Sequence, residues 1–300
     1  MQNNRNFISE LKHQYKFGGM HMKLIFINVI FFLVIGILNT IANLSENPEL
    51  KLVLADIFTL QTDFKQFIYK PWGLFTSIFS HFEILHILFN MLMLYFAGKM
   101  FEQFFSGSRL LAVYVLGGIF GGIIEIAAHT FIPLLAELPV VVVGASGSIM
   151  AIFIGLAFYK PKLQVSFFNI IQFPIIYLGL FFLITNFLSL GLKDGTAHFA
   201  HIGGAIIGVI ASQNPHSKNN LVAQFEGMLM KILNFFLTFK FSSQTGPKKD
   251  VRRMKDEEFN LDKKKRQEKI DVILDKISKS GYESLTKAEK EFLFKQSNNG

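Results

Sequence analysis

Residues 144–159 read GASGSIMAIFIGLAFY, an uncharged apolar run that opens with small residues. As a helix, the segment from Ser146 to Tyr159 would be about 21 Å long, against about 30 Å of hydrocarbon in a bilayer. If Tyr159 and Lys160 mark the inner interface, Ser146 lies on the order of 10 Å below the outer one. The irregular segment before Ser146 must then enter the membrane, which is tolerated only inside protein or beside a water-filled cavity.

Ser146 admits two interpretations. Serine and glycine are routine packing residues between membrane helices, and the tetrapeptide at 144–147 taken alone favours that structural role. A serine in the first turn of a helix inside a wet cavity also lies beside free backbone N–H groups and the positive end of the helix dipole. Both of these stabilise a developing oxyanion. The tetrapeptide alone does not decide between a packing contact and a nucleophile.

The composition around this run is that of a membrane protein. Of the 300 residues, 51% are hydrophobic and 17% are charged, whereas soluble proteins carry roughly 25% charged residues. Charges are sparse between residues 24 and 211 and dominate from 248 to 295, so the chain has an apolar body and a polar tail. The absence of cysteine excludes disulfides, thiolate catalysis and cysteine-based metal sites.

Six apolar runs predict an all-α membrane protein. We place the spans at residues 24–44, 75–97, 110–132, 146–159, 165–190 and 198–211. The first is long enough to cross a bilayer and has no small-residue cleavage site after it, so we expect an anchor that is retained. Lysine and arginine cluster in the N-terminal segment and after spans two and four, which predicts cytoplasmic termini. The net charge of +8 is explained by these loops, and we expect no nucleic-acid partner.

The chain divides into four predicted parts. These are a cytoplasmic N-terminal segment at 1–23, a six-helix membrane domain at 24–213, an interfacial amphipathic helix and linker at 214–246, and a charged helical cytoplasmic tail at 247–300. Apolar residues spaced by three and four between Leu221 and Phe241 predict the amphipathic helix. In the tail we predict a helix from about residue 264 to a C-cap at Gly281, then a capping box formed by Thr286 and Glu289.

Polar side chains inside lipid are costly and often serve chemistry. Span two holds His81, His86 and Asn90. His86 and Asn90 are four residues apart and therefore share one helix face. Taken alone, these residues favour hydrogen bonds between helices rather than catalysis.

Span six carries a histidine on a helix rich in glycine. Gly204 and Gly208 lie four residues apart, so they stack on one face and let a second helix approach closely. His201 lies one turn before Gly204. A base needs such an approach to reach a serine hydroxyl at about 2.6–3.2 Å.

Together, these segments resemble the motifs of the rhomboid family of intramembrane serine proteases. The three segments are HFEILHILFN at 81–90, GASG at 144–147 and AHIGGAIIG at 200–208. The resemblance covers residues 20–215 and not the tail. It implies a six-transmembrane-helix rhomboid-like bundle, which we place in the cell membrane. The C-terminal cytoplasmic helical extension is predicted from the residues of the tail alone. The resemblance further implies transmembrane protein substrates, contact with membrane lipids, and neither a metal ion nor a cofactor.

The resemblance also implies a role for each motif residue. Ser146 would be the nucleophile and His201 the general base of a dyad that works through an acyl-enzyme. His86, Asn90 and the Ser146 backbone N–H would bind the oxyanion. The supporting residues would be His81, Gly144, Gly147, Met150, Gly204 and Gly208.

Two positions depart from the family pattern. The family often has Trp-Arg before span two, where this chain has Trp72 followed by Gly73. An aromatic residue often follows the nucleophile by four positions, where this chain has Met150. A methionine still contacts an imidazole, with more freedom of movement. Neither change removes a reacting group.

Two other function classes compete with a protease. A non-catalytic rhomboid-like protein would bind transmembrane segments without cutting them, but inactive relatives usually lack the nucleophile or base, and this chain keeps both Ser146 and His201. A small transporter with a polar path would have broken helices in paired halves, and the sequence has no internal repeat. Covalent labelling of Ser146 by a fluorophosphonate separates the protease from both.

We predict that the C-terminus and the loop after Lys162 lie on the cytoplasmic side, because lysine and arginine accumulate in alternate loops. Reporter fusions at the two positions should both give a cytoplasmic signal. An extracytoplasmic signal at either fusion point would contradict the six-span topology.

Overall fold

A computed structural model describes residues 6–136, 140–167, 171–192 and 195–242. In the tail it describes Ile273, Lys276, Ile277, Leu285, Thr286, Glu289 and Lys290. The helices are α1 (Phe7–Phe17), α2 (Met20–Leu44), α3 (Pro48–Phe58), α4 (Phe64–Tyr69), α5 (Gly73–Thr76), α6 (Ile84–Phe101), α7 (Gly107–Phe131), α8 (Pro133–Ala136), α9 (Ser146–Tyr159), α10 (Ile175–Leu188), α11 (His198–Ser212) and α12 (Leu221–Ser242). Strands β1 (Leu60–Gln61) and β2 (Val141–Val142) pair antiparallel, as do β3 (Gln164–Phe167) and β4 (Ile171–Pro174).

The apolar helices agree with most of the predicted spans. Helices α2, α6 and α7 are long and apolar enough to cross a membrane, and α9, α10 and α11 are shorter apolar helices. Helix α9 begins and ends at the predicted residues. The predicted span at 75–97 starts too early, because α5 and a 3-10 turn at Ser77–Phe79 precede the start of α6 at Ile84.

The predicted span at 165–190 is also wrong in its first third. Strands β3 and β4 pair over residues 164–167 and 171–174, and α10 begins only at Ile175. Polar Gln164 and Ser166 alternate with apolar neighbours, which is the two-residue period of a strand. Pro174 then lies at the N-cap of α10. Its missing N–H costs nothing there, whereas inside a helix it would remove a hydrogen bond.

Helices α7, α9 and α11 pack closely against one another through glycines. A Cβ atom placed on Gly204 of α11 would lie 2.1 Å from the carbonyl oxygen of Gly147, and one on Gly208 would lie 2.5 Å from that of Ala151. On α7, a Cβ atom on Gly121 would lie 2.5 Å from the carbonyl oxygen of Ala200. Only glycine permits these approaches, as expected for helices in lipid.

Two glutamates bind the first turns of helices α2 and α11. Glu102, which follows α6, accepts a hydrogen bond of 2.7 Å from the Met20 backbone N–H at the start of α2 and contacts the His21 ring. Burial alone would raise the pKa of Glu102, but these hydrogen bonds outweigh it and hold the pKa below its usual value. Glu125 of α7, only 2% exposed, accepts a 2.8 Å bond from the Ala200 N–H in α11. Each carboxylate also complements the positive end of a helix dipole.

Helix α12 is joined to the start of α7 by Glu226. Its carboxylate lies 2.6 Å from Arg109 Nε and 2.5 Å from Ser108 Oγ. Among the residues of α12 up to 236, the exposed large apolar side chains are Leu221, Met228, Ile232, Leu233, Phe235 and Phe236. This distribution fits the predicted amphipathic helix.

The chain divides into two compact units, residues 1–237 and 238–300. In the second unit the predicted capping box is present, since Thr286 N and Thr286 Oγ1 donate to Glu289 Oε2 at 2.7 and 2.8 Å. These bonds and the nearby Lys276 lower the pKa of Glu289 to about 2. Most of the predicted helix at 264–278, and its predicted C-cap Gly281, lie outside the described residues.

We predict that Gly204→Ala lowers the thermal unfolding midpoint of the purified protein in detergent. The added methyl group would overlap the Gly147 carbonyl, and overpacking of this kind costs about 1–3 kcal/mol. Gly36→Ala is the matched control, because a Cβ atom on that glycine of α2 has nothing within 4 Å. Equal midpoints for the two variants would contradict close packing of α9 on α11.

Candidate active site

The segment before α9 is held in a conformation that only glycine adopts easily. Gly144 has a φ of +111°, and its N–H donates a 2.9 Å hydrogen bond to the carbonyl of Ser77. A Cβ atom on Gly144 would lie 2.8 Å from the His86 ring. The backbone can therefore turn sharply beside His86 and begin α9 at Ser146, whose N–H, in the first turn, has no acceptor within the helix.

Ser146 and His201 are in hydrogen-bond contact. Their Oγ and Nε2 atoms are 2.7 Å apart, although the residues lie on different helices. The contact follows from the close packing at Gly147 and Gly204, which lie beside the two residues on α9 and α11. This arrangement can pass a proton from the serine hydroxyl to the imidazole.

The other nitrogen of His201 contacts an asparagine that the sequence did not single out. Asn186 of α10 places its Oδ1 atom 2.6 Å from His201 Nδ1. An amide oxygen only accepts hydrogen bonds, so Nδ1 carries the proton and Nε2 is left with a lone pair toward Ser146. In the sequence, Asn186 is marked only as a single amide side chain within an apolar run. Its spacing from the motifs that contain Ser146 and His201 is not fixed.

A cavity of about 410 Å³ gives access to these groups. Its walls come from α6, α9, α10 and α11, and it contains four of the predicted site residues. The lining residues are Phe89, Asn90, Met93, Ser146, Ile149, Met150, Phe153, Phe182, Asn186 and His201. Most of them are apolar, and a few polar side chains converge among them, as is usual in a ligand-binding cavity.

The predicted oxyanion residues occupy two different places. Asn90 lines the cavity with Ser146, and its amide donates a 2.9 Å bond to the carbonyl of His86 one turn earlier. A side-chain amide has two N–H donors, so the second remains available. His86 packs beside Gly144 instead and is not among the described residues that line the cavity.

His81 supports the same turn from behind. It is fully buried, its ring centroid lies 5.0 Å from that of His86, and its Nε2 atom is 3.4 Å from the backbone nitrogen of Ala145. His81, His86 and Gly144 thus form one cluster at the N-terminal side of Ser146. The remaining supporting residues, Met150, Gly204 and Gly208, lie beside the cavity or at the contact of α9 with α11.

The departure at Gly73 has a steric reason. A Cβ atom on Gly73 would lie 2.4 Å from the carbonyl oxygen of Thr59, so an arginine has no room here. The preceding Trp72 donates from Nε1 to the Asp56 carbonyl at 2.8 Å, and Lys70 Nζ lies 2.5 Å from the Asp56 carboxylate. In this chain the loop after α3 is held by those contacts.

Comparisons with known proteins identify a domain family and several relatives. Residues 69–214 match the family model of the rhomboid domain, and residues 254–299 match a family of unknown function, DUF6576. The chain is 30% identical over 46% of its length to RHOMBOID-like protein 12, mitochondrial, of Arabidopsis thaliana. It is 29% identical over 47% to rhomboid protease AarA of Providencia stuartii, and 28% over 47% to rhomboid protease GlpG of Haemophilus influenzae.

The matches cover part of each relative. They extend over 44% of the Arabidopsis protein, 54% of the Providencia protein and 68% of the Haemophilus protein. The chain therefore spans about half the length of the curated relatives it matches first. The matched domain begins at residue 69, later than the resemblance predicted from residue 20.

We predict that Gly144→Ala slows fluorophosphonate labelling of Ser146. A methyl group at Gly144 meets the His86 ring and also has an unfavourable positive φ, a strain of about 1–2 kcal/mol. Gly191→Ala is the matched control, because Gly191 has a φ of +83° with nothing within 4 Å of its Cβ position. The control variant has the backbone strain but no clash with a side chain. Equal labelling rates in the two variants would therefore show that the clash with His86 does not slow labelling.

Proposed function

We propose that this chain, a multi-pass membrane protein of the rhomboid family whose residues 69–214 match the rhomboid domain, is an intramembrane serine endopeptidase. It hydrolyses peptide bonds in or near the transmembrane segments of other membrane proteins. The observation that carries the proposal is the 2.7 Å contact between Ser146 Oγ and His201 Nε2 inside an apolar cavity.

The reaction begins with attack by Ser146 on the peptide carbonyl carbon. His201 Nε2 takes the hydroxyl proton as the new C–O bond forms and the carbonyl oxygen becomes an oxyanion. Three donors would stabilise that oxyanion: the Ser146 N–H, the second N–H of Asn90, and His86. Because His86 packs beside Gly144 in the structure, its contribution requires its ring to turn toward the bound substrate.

Collapse of the tetrahedral intermediate gives an acyl-enzyme. The C–N bond breaks, and the leaving amine receives the proton held by His201. A water molecule then attacks the ester of Ser146 while His201 takes its proton. The second tetrahedral intermediate then collapses: the bond to Ser146 Oγ breaks, His201 returns its proton to that oxygen, and the carboxylic acid product leaves. Ser146, His201 and water supply all the reacting groups of this sequence, so the proposed reaction requires neither a metal ion nor a cofactor.

Each part of the chain has a place in the proposed membrane arrangement. The six apolar helices, α2, α6, α7, α9, α10 and α11, would form the membrane domain at 24–213. Both termini would be cytoplasmic, and the membrane would be the cell membrane. Helix α12 would lie in the inner interface, which is supported by its exposed apolar face and its attachment through Glu226. The tail at 247–300 would be an accessory cytoplasmic unit.

We predict that Ser146→Ala and His201→Ala each abolish cleavage of a single-span substrate by the purified protein. Fluorophosphonate labelling should be lost as well, because the base activates the serine hydroxyl. The two losses should not add in the double variant, because nucleophile and base act as a unit. His198→Ala should leave most of the activity, because the proposed base is His201, whose Nε2 atom lies 2.7 Å from Ser146 Oγ.

The outcomes separate the competing functions. Activity that survives in His201→Ala and is lost in His198→Ala would overturn the assignment of the base. A wild-type protein that crosslinks to transmembrane segments, yet neither cleaves them nor labels at Ser146, would be the non-catalytic binder.

A further inference from the structure

Asn186 of α10 occupies a position that connects two histidines. Its Oδ1 atom lies 2.6 Å from His201 Nδ1 and 3.1 Å from His198 Nδ1. Its amide nitrogen donates a 2.8 Å hydrogen bond to the carbonyl of Phe182, one turn earlier in the same helix. That bond fixes the orientation of the amide, because the nitrogen end is held by α10 and the oxygen end must face the imidazoles.

We propose that Asn186 is the positioning residue for the general base. It holds the proton of His201 on Nδ1 and thereby keeps the lone pair of Nε2 directed at Ser146. This inference rests on the proposed function, since an orienting residue matters only if His201 acts as a base. Asn186 does not touch the reacting atoms and acts only through the imidazole.

The physical reason is the choice of tautomer. A neutral imidazole carries its proton on either nitrogen, and the hydrogen bond made by one nitrogen decides the state of the other. With the proton on Nε2, His201 would donate toward Ser146 and could not accept the hydroxyl proton. The acceptor on α10 selects the productive form, and it also fixes the rotation of the ring.

An amide suits this task differently from a carboxylate. A carboxylate beside the ring would favour the charged imidazolium and raise the pKa of the base. More of the enzyme would then be protonated and inactive near neutral pH. The neutral oxygen of Asn186 orients the ring without adding a negative charge.

Other groups around His201 bear on its titration. On its own helix, the ring centroid of His198 lies 6.2 Å from that of His201. From α7, Glu125 binds the backbone of the neighbouring Ala200. The side chains of the described residues that line the cavity with His201 from α6, α9 and α10 are neutral. A carboxylate at position 186 would therefore be a new charge directly on Nδ1.

Because Asn186 lies on α10, the tautomer of His201 depends on the packing of α10 against the bundle. Only Ile175 and Gly179 are buried among the residues of α10, whereas Phe181 is 58% exposed and Phe187 is 66% exposed. The helix is thus packed along one narrow face, where Phe182 meets Phe153 across the cavity with ring centroids 5.5 Å apart. If α10 moves away to admit a substrate, His201 loses its acceptor until the helix returns.

The test compares Asn186→Ala and Asn186→Asp with a control on the same helix. Thr185→Ala is that control, because its hydroxyl bonds to the backbone of α10 at Phe181 and Phe182. Cleavage rates and fluorophosphonate labelling of Ser146 are measured across pH. Asn186→Ala should lose on the order of 10²-fold in rate at every pH, as expected for a misplaced reacting group. Thr185→Ala should match the wild type.

The pH profile of Asn186→Asp distinguishes a positioning role from a purely structural one. This variant keeps an acceptor of the same shape, so we expect most of the rate to return at high pH. The acid limb of its profile should move to higher pH, because the added carboxylate favours protonated His201. A profile that coincides with that of the wild type in both Asn186 variants would overturn the inference. If Asn186→Ala fails to fold, the shift in Asn186→Asp decides alone.

A second measurement does not depend on activity. Nitrogen-15 NMR of labelled histidines, with the His201 signals assigned by their loss in His201→Gln, reports which ring nitrogen carries the proton. We expect a protonated Nδ1 in the wild type and a mixture of tautomers in Asn186→Ala. An unchanged tautomer in that variant would refute the role of Asn186. A wild type that neither cleaves nor labels would refute the proposed protease, and the NMR result would still be read independently.

Discussion

The close contact of α9 with α11 is the constraint on which the rest of this structure depends. The Gly147 carbonyl occupies the place where a side chain of residue 204 would begin. Between helices in lipid, hydrophobic burial adds little, so association rests on close packing and on hydrogen bonds. Glycine allows the two backbones to meet, and Ser146 and His201 beside this contact are brought within hydrogen-bond distance.

The polar groups of the apolar body are arranged around this contact. Glu125 binds the first turn of α11 and holds the helix end that carries His201. His81 approaches the turn that carries Ser146 from the opposite side. Polar groups in such surroundings are expensive, and Glu125 Oε2 and His81 Nε2 each accept a hydrogen bond from a backbone N–H next to the site. Their effect is to fix the ends of the two helices rather than to take part in chemistry.

Helix α10 contrasts with this rigid part. Helices α7, α9 and α11 bury most of their small residues against one another, whereas α10 contacts the body through a narrow face and leaves its large apolar residues exposed. Few buried contacts mean a low cost of local displacement. Under the proposed function a substrate segment would need an entry to the cavity, and the least buried of the cavity walls, α10, also supplies the acceptor for His201.

The sequence by itself determined the membrane class, the limits of α9, the glycine face of α11 and the order of the three motifs. These properties depend on runs and spacings along one helix, where residues four apart always share a face. It did not predict the pairing of β3 with β4, because the high apolar content of these residues hides the two-residue alternation typical of a strand. It also did not predict the partner of Glu125. Nor did it predict the contact of Asn186 with His201 across two helices. Which side chains meet between helices depends on the tilt and rotation of each helix. These are set by the packing of all its neighbours, and only the tertiary structure contains that information.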